Sequence, residues 1–288
     1  MKSQIDYLSE ALDQIKQGMF ELIDNSRILR FKNDPSSDVV FVSPEFYWDG
    51  PTAKEQQIQI ELRRKYLKWV EIFQMIIENA PDNVKSKMSE IDSFILNWID
   101  KGIEWGLPGT LEEAKVRFEE AINPLYDTLK LYCNTENGSI ILIPDTSALM
   151  LKSDPLAYKD YVNQEKFTLA LLSTVIRELH ELKMKSWDPE CTKKVKSVLK
   201  RLDRFQNRGN LHDGITIHRT IQLKIFTTDP DLTKAASWLD KNNNDDKIIA
   251  GAIEIQRTNP SDYVLLATTN KNIQNKAEMA YLPYIEIG

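Results

Sequence analysis

Four polar groups, each placed directly after an apolar stretch or at the start of a helix pattern, carry the chemistry this sequence offers. Asp145-Thr146-Ser147 follows the apolar run Ile140–Pro144, and Glu178 sits in V-I-R-E-L. Asp245-Asp246 opens K-I-I-A-G-A, and Thr268-Thr269-Asn270 follows Tyr263–Ala267. If strand ends gather on one edge of a sheet, these groups converge. Unit negative charges ~4 Å apart repel by roughly 4 kcal/mol at an effective dielectric near 20, so the cluster needs a counter-charge. A donor set of oxygens without His or Cys suits the hard cations Mg²⁺ or Mn²⁺. A carboxylate-held cation can activate water and stabilise a phosphoryl transition state. Each acid also has a plainer local explanation. Asp145 can cap the next turn, Glu178 can be a solvated helix residue paired with Lys or Arg, and Asp246 can be a helix-start charge favoured by the macrodipole. His180, His212 and His218 show no ligand spacing, and Cys133 and Cys191 stand far apart.

The elements that must position these groups alternate. Ile140–Pro144 is short, apolar and β-branched, as suits a strand buried on both faces of a parallel sheet. An acid at its carboxyl end stands where open α/β sheets place their ligands. Phe167–Leu172 is a second apolar run, followed by a helix capped by Ser173 or Thr174. A helix over Cys191–Asn207 buries Val195, Val198, Leu199, Leu202 and Phe205. It turns Lys193, Lys194, Lys196, Lys200, Arg201 and Arg204 outward. Gly214–Phe226 alternates as one or two strands, Leu232–Leu239 is a short helix, and Tyr263–Ala267 is a buried strand. Strands alternating with helices make residues 139–288 a parallel α/β domain.

Residues 1–138 read differently. Ile5, Leu8, Leu12, Ile15, Met19 and Ile23 form one apolar helix face, and helical patterns recur over 53–79 and 83–104. Thr110 and Glu113 then form a capping box for a helix reaching about Leu131. Short links between long helices favour an antiparallel all-α bundle. A loop lies between, over residues 31–52, with a short strand at Val39–Val42. Its Phe46-Tyr47-Trp48 either anchors the loop on the helices or offers bases a stacking platform. Asn134–Gly138 breaks the periodicity and marks the boundary. The architecture is thus an all-α helical domain, 1–138, followed by an α/β domain, 139–288.

The net charge of −6 is uneven. Residues 1–138 hold 16 Lys and Arg against 24 Asp and Glu, and residues 139–288 hold 21 against 19. The first part therefore has no electrostatic footprint for a polyanion. No run of 18 apolar residues marks a membrane span, and the N-terminus lacks a signal-peptide core. Two unpatterned cysteines exclude a disulfide framework and fit a reducing cytoplasm.

With the D-T-S strand end, V-I-R-E-L, the D-D-K-I-I-A-G-A helix start and L-L-A-T-T-N in this order, residues 139–287 resemble the PIN-domain ribonucleases. The resemblance implies metal-dependent hydrolysis of RNA phosphodiesters by water, at an acidic pocket on the sheet edge. It implies that Asp145, Glu178 and Asp246 hold Mg²⁺ or Mn²⁺. Asp246 is favoured because it lies three before the isoleucine of Ile249-Ala250-Gly251-Ala252, which leaves Asp245 as the helix N-cap or an outer partner. Many relatives carry an aspartate at the last site, where Thr269 and Asn270 stand here; a T-x-N form, Thr268 and Asn270, also resembles part of the family, and Asn270 becomes a weaker fourth ligand. Ser147 and Asn270 would orient water or phosphate, and Lys193, Lys196, Lys200 and Arg204 are either a solvated helix face or a track that contacts RNA phosphates without reading sequence. A phosphotransferase of haloacid-dehalogenase type needs a second Asp two residues after the first, and Ser147 occupies that place. A non-catalytic module that binds RNA or a protein remains the alternative. The helical part would regulate, guide substrate, or bind a protein partner or a second copy.

Overall fold

A computed structural model describes residues 2–31, 42–132, 138–232 and 236–288. By internal contacts the chain divides into two units, Leu8–Leu131 and Met1–Tyr7 with Tyr132–Gly288. The strand expected at Val39–Val42, most of the polar boundary at Asn134–Gly138 and part of the helix expected over Leu232–Leu239 fall outside the described residues.

The first unit is built on α1 (Gln4–Asp24), α2 (Ala53–Ile76), α3 (Asp82–Ile99) and α4 (Leu111–Leu131). It is not purely helical, because β1 (Ile28–Arg30) pairs antiparallel with β2 (Phe46–Trp48). Of the aromatic triplet, Trp48 is buried and meets Trp98 edge-on at 5.6 Å, while Tyr47 stays exposed. That burial makes Trp48 an anchor, leaving one exposed ring and no platform. Tyr66, Trp69 and Phe73 recur on one face of α2 and stack in series, the last pair at 4.7 Å. The start of α2 is fastened by a full capping box between Thr52 and Glu55. The Glu55 carboxylate also forms a buried ion pair with Lys101. At α4 the Thr110 hydroxyl accepts from Glu113 N at 3.3 Å.

The second unit is a six-stranded sheet with helices. Its strands are β3 (Ile140–Pro144), β4 (Phe167–Leu172), β5 (Ile215–His218), β6 (Ile221–Phe226), β7 (Tyr263–Thr268) and β8 (Tyr284–Glu286), in spatial order β5-β6-β4-β3-β7-β8. All neighbours are parallel except the edge hairpin β5–β6, so the expected parallel sheet carries one antiparallel edge strand. Every residue of β3 is buried, as its unbroken apolar run requires of a central strand. From β3 the chain builds outward to β4 and β6 on one side, then returns to place β7 and β8 on the other. The carboxyl end of β3 is therefore the point where strand order reverses, and open sheets have a crevice there.

The helices that bear on this point are α5 (Thr146–Leu151), α7 (Ser173–Lys185), α9 (Asn244–Thr258) and α10 (Lys271–Met279). A 3-10 turn (Pro155–Tyr158), α6 (Lys159–Val162) and α8 (Pro189–Gln206) complete the unit. Neither Ser173 nor Thr174 caps α7; its N-cap is Leu172, with no side-chain hydrogen bond. The Ser173 hydroxyl instead donates to Asp229, which also accepts from Arg177 at 3.1 Å. This ties the first turn of α7 to the segment after β6. At Gly251 of α9 an added Cβ would stand 3.0 Å from Leu172, so a glycine lets α9 close on the end of β4.

Candidate functional site

Asp145 occupies the residue after β3 and is 2% exposed. Its backbone takes the extended conformation of an N-cap, and its Oδ1 accepts from Ala148 N at 2.7 Å. Capping and facing a site are thus not alternatives here, since one carboxylate does both. Oδ1 also accepts from Ser147 Oγ at 2.7 Å, and Oδ2 accepts from the hydroxyl of Thr268, at the end of the adjacent strand β7. Ser147 is oriented in turn by Thr269, whose Oγ1 donates to it at 2.7 Å. Three donors fix this carboxylate before any ligand arrives. Burial nevertheless dominates and pushes its pKa above the ordinary aspartate value, against the hydrogen bonds from Thr268, Ala148 and Ser147, with Asp245 adding a smaller upward push.

A cavity of about 430 Å³ opens beside Asp145. Glu178 from α7, Asp245 from α9 and Asn270 at the start of α10 share its wall with Asp145 and Ser147. Glu178 Oε2 accepts from the Thr146 hydroxyl, and Oε1 has no partner among the described residues. Asp245 Oδ2 accepts from Asn272 Nδ2 at 2.5 Å, and Oδ1 faces Asn270 Nδ2 at 3.5 Å. Asn270 spends its own Oδ1 on capping α10, where it accepts from Asn272 N at 2.9 Å.

The structure does not bring Asp246 to this cavity. Asp246 is 3% exposed, and its Oδ1 forms an ion pair with Lys276 of α10 at 2.7 Å. Its Oδ2 accepts from Asp240 N at 3.1 Å. The helix geometry explains the exchange. Asn243 is the N-cap of α9, accepting from both Asp245 N and Asp246 N, so both acids lie in the first turn. Successive helix residues point ~100° apart, so Asp245 and Asp246 leave α9 in different directions. Asp245 faces the cavity and Asp246 faces α10. Counting back from the isoleucine motif could not reveal which, because it took Asp245 for the cap and missed Asn243.

Thr268 stands behind Asp145, fully buried, as a support for that carboxylate. Lys193, Lys196, Lys200 and Arg204 lie on the exposed face of α8, opposite the buried Val195, Val198 and Leu199, and none of the four lines the cavity. The polar wall residues that the sequence does not single out include Asn244, and Glu181 and Lys185 of α7, which are paired at 3.0 Å. The signal for the α7 pair was present, because Glu178, Glu181, Leu182 and Lys185 recur on one helix face. The three histidines are exposed.

In kind, this donor set suits a hard divalent cation: carboxylates and hydroxyls, with no His or Cys on the wall. In arrangement it is open, because among the described residues no three acids, histidines or cysteines close on a single point. No helix among the described residues is long and apolar enough to cross a membrane.

The model of the PIN domain matches residues 142–286, which run from within β3 to the end of β8 and include the whole cavity wall. The helical region before it has no family match. No curated protein matches the chain. With a match over half its length, and a sheet whose central strand ends in the cavity's most buried acid, this chain belongs to the PIN-domain family.

Proposed function

We propose that this chain is a divalent-metal-dependent endoribonuclease whose working acids are Asp145, Glu178 and Asp245. The observation that carries the proposal is their meeting, from three separate elements, around one cavity at the strand-order reversal. In an RNA-cleaving site, Mg²⁺ or Mn²⁺ held by these acids would neutralise the phosphodiester and make water more acidic. Asp145 is the fixed member, because Ser147, Ala148 and Thr268 hold it in place. Its remaining Oδ2 lone pair is the one open to a ligand. Glu178 is the adjustable member: turning from Thr146 brings a carboxylate with a free oxygen inward. Asn270 works through Asp245, donating to its carboxylate rather than offering its own oxygen. Asp246 is assigned to holding α9 against α10. Lys185 brings a cation to a wall that is otherwise acidic, where it can meet a substrate phosphate.

A second reading, a non-catalytic PIN-domain module that binds RNA or a protein, is favoured by the open spacing of the acids. Calorimetry with Mn²⁺ separates the two, since the nuclease reading expects saturable heat that Asp145→Asn removes. A panel of labelled RNA and DNA incubated with Mn²⁺ tests the proposal itself. RNA fragments that disappear with chelator are the expected outcome, and intact RNA throughout would reject it.

A further inference from the structure

The turn between α7 and α8 holds Trp187 with 99% of its surface in water, and Met184, one helical turn earlier, is 81% exposed. Neither lines the cavity, but Lys185, between them in the chain, does, and a free indole beside it is a surface that a ligand can cover. The turn itself is well fastened. Ser186 N donates to Leu182 O at 3.0 Å, and Asp188 N donates to Ser186 Oγ at 3.3 Å. The Asp188 carboxylate caps α8, accepting from Glu190 N and Cys191 N. Both neighbours of Trp187 are therefore held while its own ring stands free. A ring presented on a fixed pedestal loses little freedom when something stacks on it.

Its position relates it to the cavity. One face of α7 lines that cavity from Glu178 through Lys185. Lys185 lies roughly 10 Å along the helix from Glu178, and Trp187 is at most about 7 Å of chain farther on. The charge around it is favourable to a polyanion. Residues 181–204 hold eight cations and four carboxylates. Three of those carboxylates are engaged, Glu181 with Lys185, Glu190 with Lys194 and Asp188 in its cap. Lys193, Lys196 and Lys200 are exposed, and among the described residues they form no ion pair.

Single-stranded nucleic acid is held by aromatic faces together with cations, because every base has a surface to stack and every link a phosphate to neutralise, and Trp187 lies in the turn that joins the lysines of α7 to those of α8. We infer that Trp187 stacks on a base of single-stranded RNA whose neighbouring phosphates lie against the lysines of α7 and α8, and so positions the strand that enters the acidic cavity. This inference rests on the nuclease reading above. It assigns Trp187 to positioning and gives it no part in the bond-breaking step.

The test is binding of a fluorescent single-stranded RNA to the full chain by anisotropy, in chelator so that nothing is cut. Trp187→Ala is expected to weaken binding roughly 10-fold or more, with Trp187→Phe retaining most of it. The dependence of affinity on salt should stay the same in both, whereas the double change Lys193→Ala and Lys196→Ala should flatten it. With Mn²⁺ present, Trp187→Ala should raise KM while leaving kcat near wild type. Trp105→Ala, removing another exposed indole, serves as the control and should change nothing. Equal affinity of Trp187→Ala and wild type would overturn the inference and leave the nuclease reading standing. A wild type that binds no RNA would remove the nuclease reading itself. A wild-type dimer that Trp187→Ala turns into monomers of unchanged RNA affinity would give the patch to self-association and overturn the inference.

Discussion

A carboxylate with three protein donors and almost no exposure is held for what it does when something binds. Burial holds the Asp145 proton more tightly in the folded than in the unfolded chain. The folded state therefore binds more protons at and above the ordinary aspartate range, and stability falls as pH rises through that window. Removing the charge while keeping the shape should relieve this. Asp145→Asn is expected to melt at or above the wild-type temperature at pH 7 in chelator. Asp145→Ala, which strands Ala148 N and the Thr268 hydroxyl, should lose about 1–3 kcal/mol. Thermal unfolding of the pair checks both. The two neighbouring acids of α9 should separate in the opposite manner. Asp245→Asn is expected to lose cleavage with stability intact. Asp246→Asn leaves the partly buried Lys276 beside a neutral group and should cost about 1–3 kcal/mol, with activity lost only as far as the protein unfolds. At this scale the sequence showed which residue types meet, but not which of two adjacent aspartates faces the cavity. Helix phase decides that, and the phase depends on Asn243 starting α9.

At the scale of elements, the strands and helices nearest the site were legible because each has an unbroken period. Ile140–Pro144 reads as a central strand for lack of any polar face, and α1 and α2 read from spacings of three and four. What was missed depends on distant partners. The pairing of β1 with β2 joins two segments well separated in sequence. The Ser173 hydroxyl looked like a cap, but Asp229, distant in sequence, takes it. The junction at the start of α2 is another long-range device, and it sets an acid limit on the helical unit. Burial alone would raise the Glu55 pKa. The hydrogen bond from Lys101, those from Thr52 and the Lys101 charge outweigh it, and the pKa falls from 4.5 to about 2. A depressed folded-state pKa gives stability that is fully present above 4.5 and is lost as pH falls toward 2. Following unfolding of the full chain against pH should show this loss, and Glu55→Gln should show a smaller acid dependence from a lower starting stability.

Over the whole molecule, charge and chemistry are divided between the two parts of the sequence. The helical part is acidic and carries no basic track, whereas the PIN domain holds both the acidic cavity and the lysines of α7 and α8. An RNA bound to this chain is therefore expected on the second unit, with cations drawing in the backbone and three acids acting at the cavity. The most direct measurement is the rate at which wild type, Asp145→Asn, Asp245→Asn and Asp246→Asn cut one labelled single-stranded RNA with Mn²⁺, each corrected for its folded fraction. The account predicts metal-dependent cutting by wild type and Asp246→Asn, with losses of roughly 100-fold or more in Asp145→Asn and Asp245→Asn. Cutting by Asp145→Asn at the wild-type rate would contradict it.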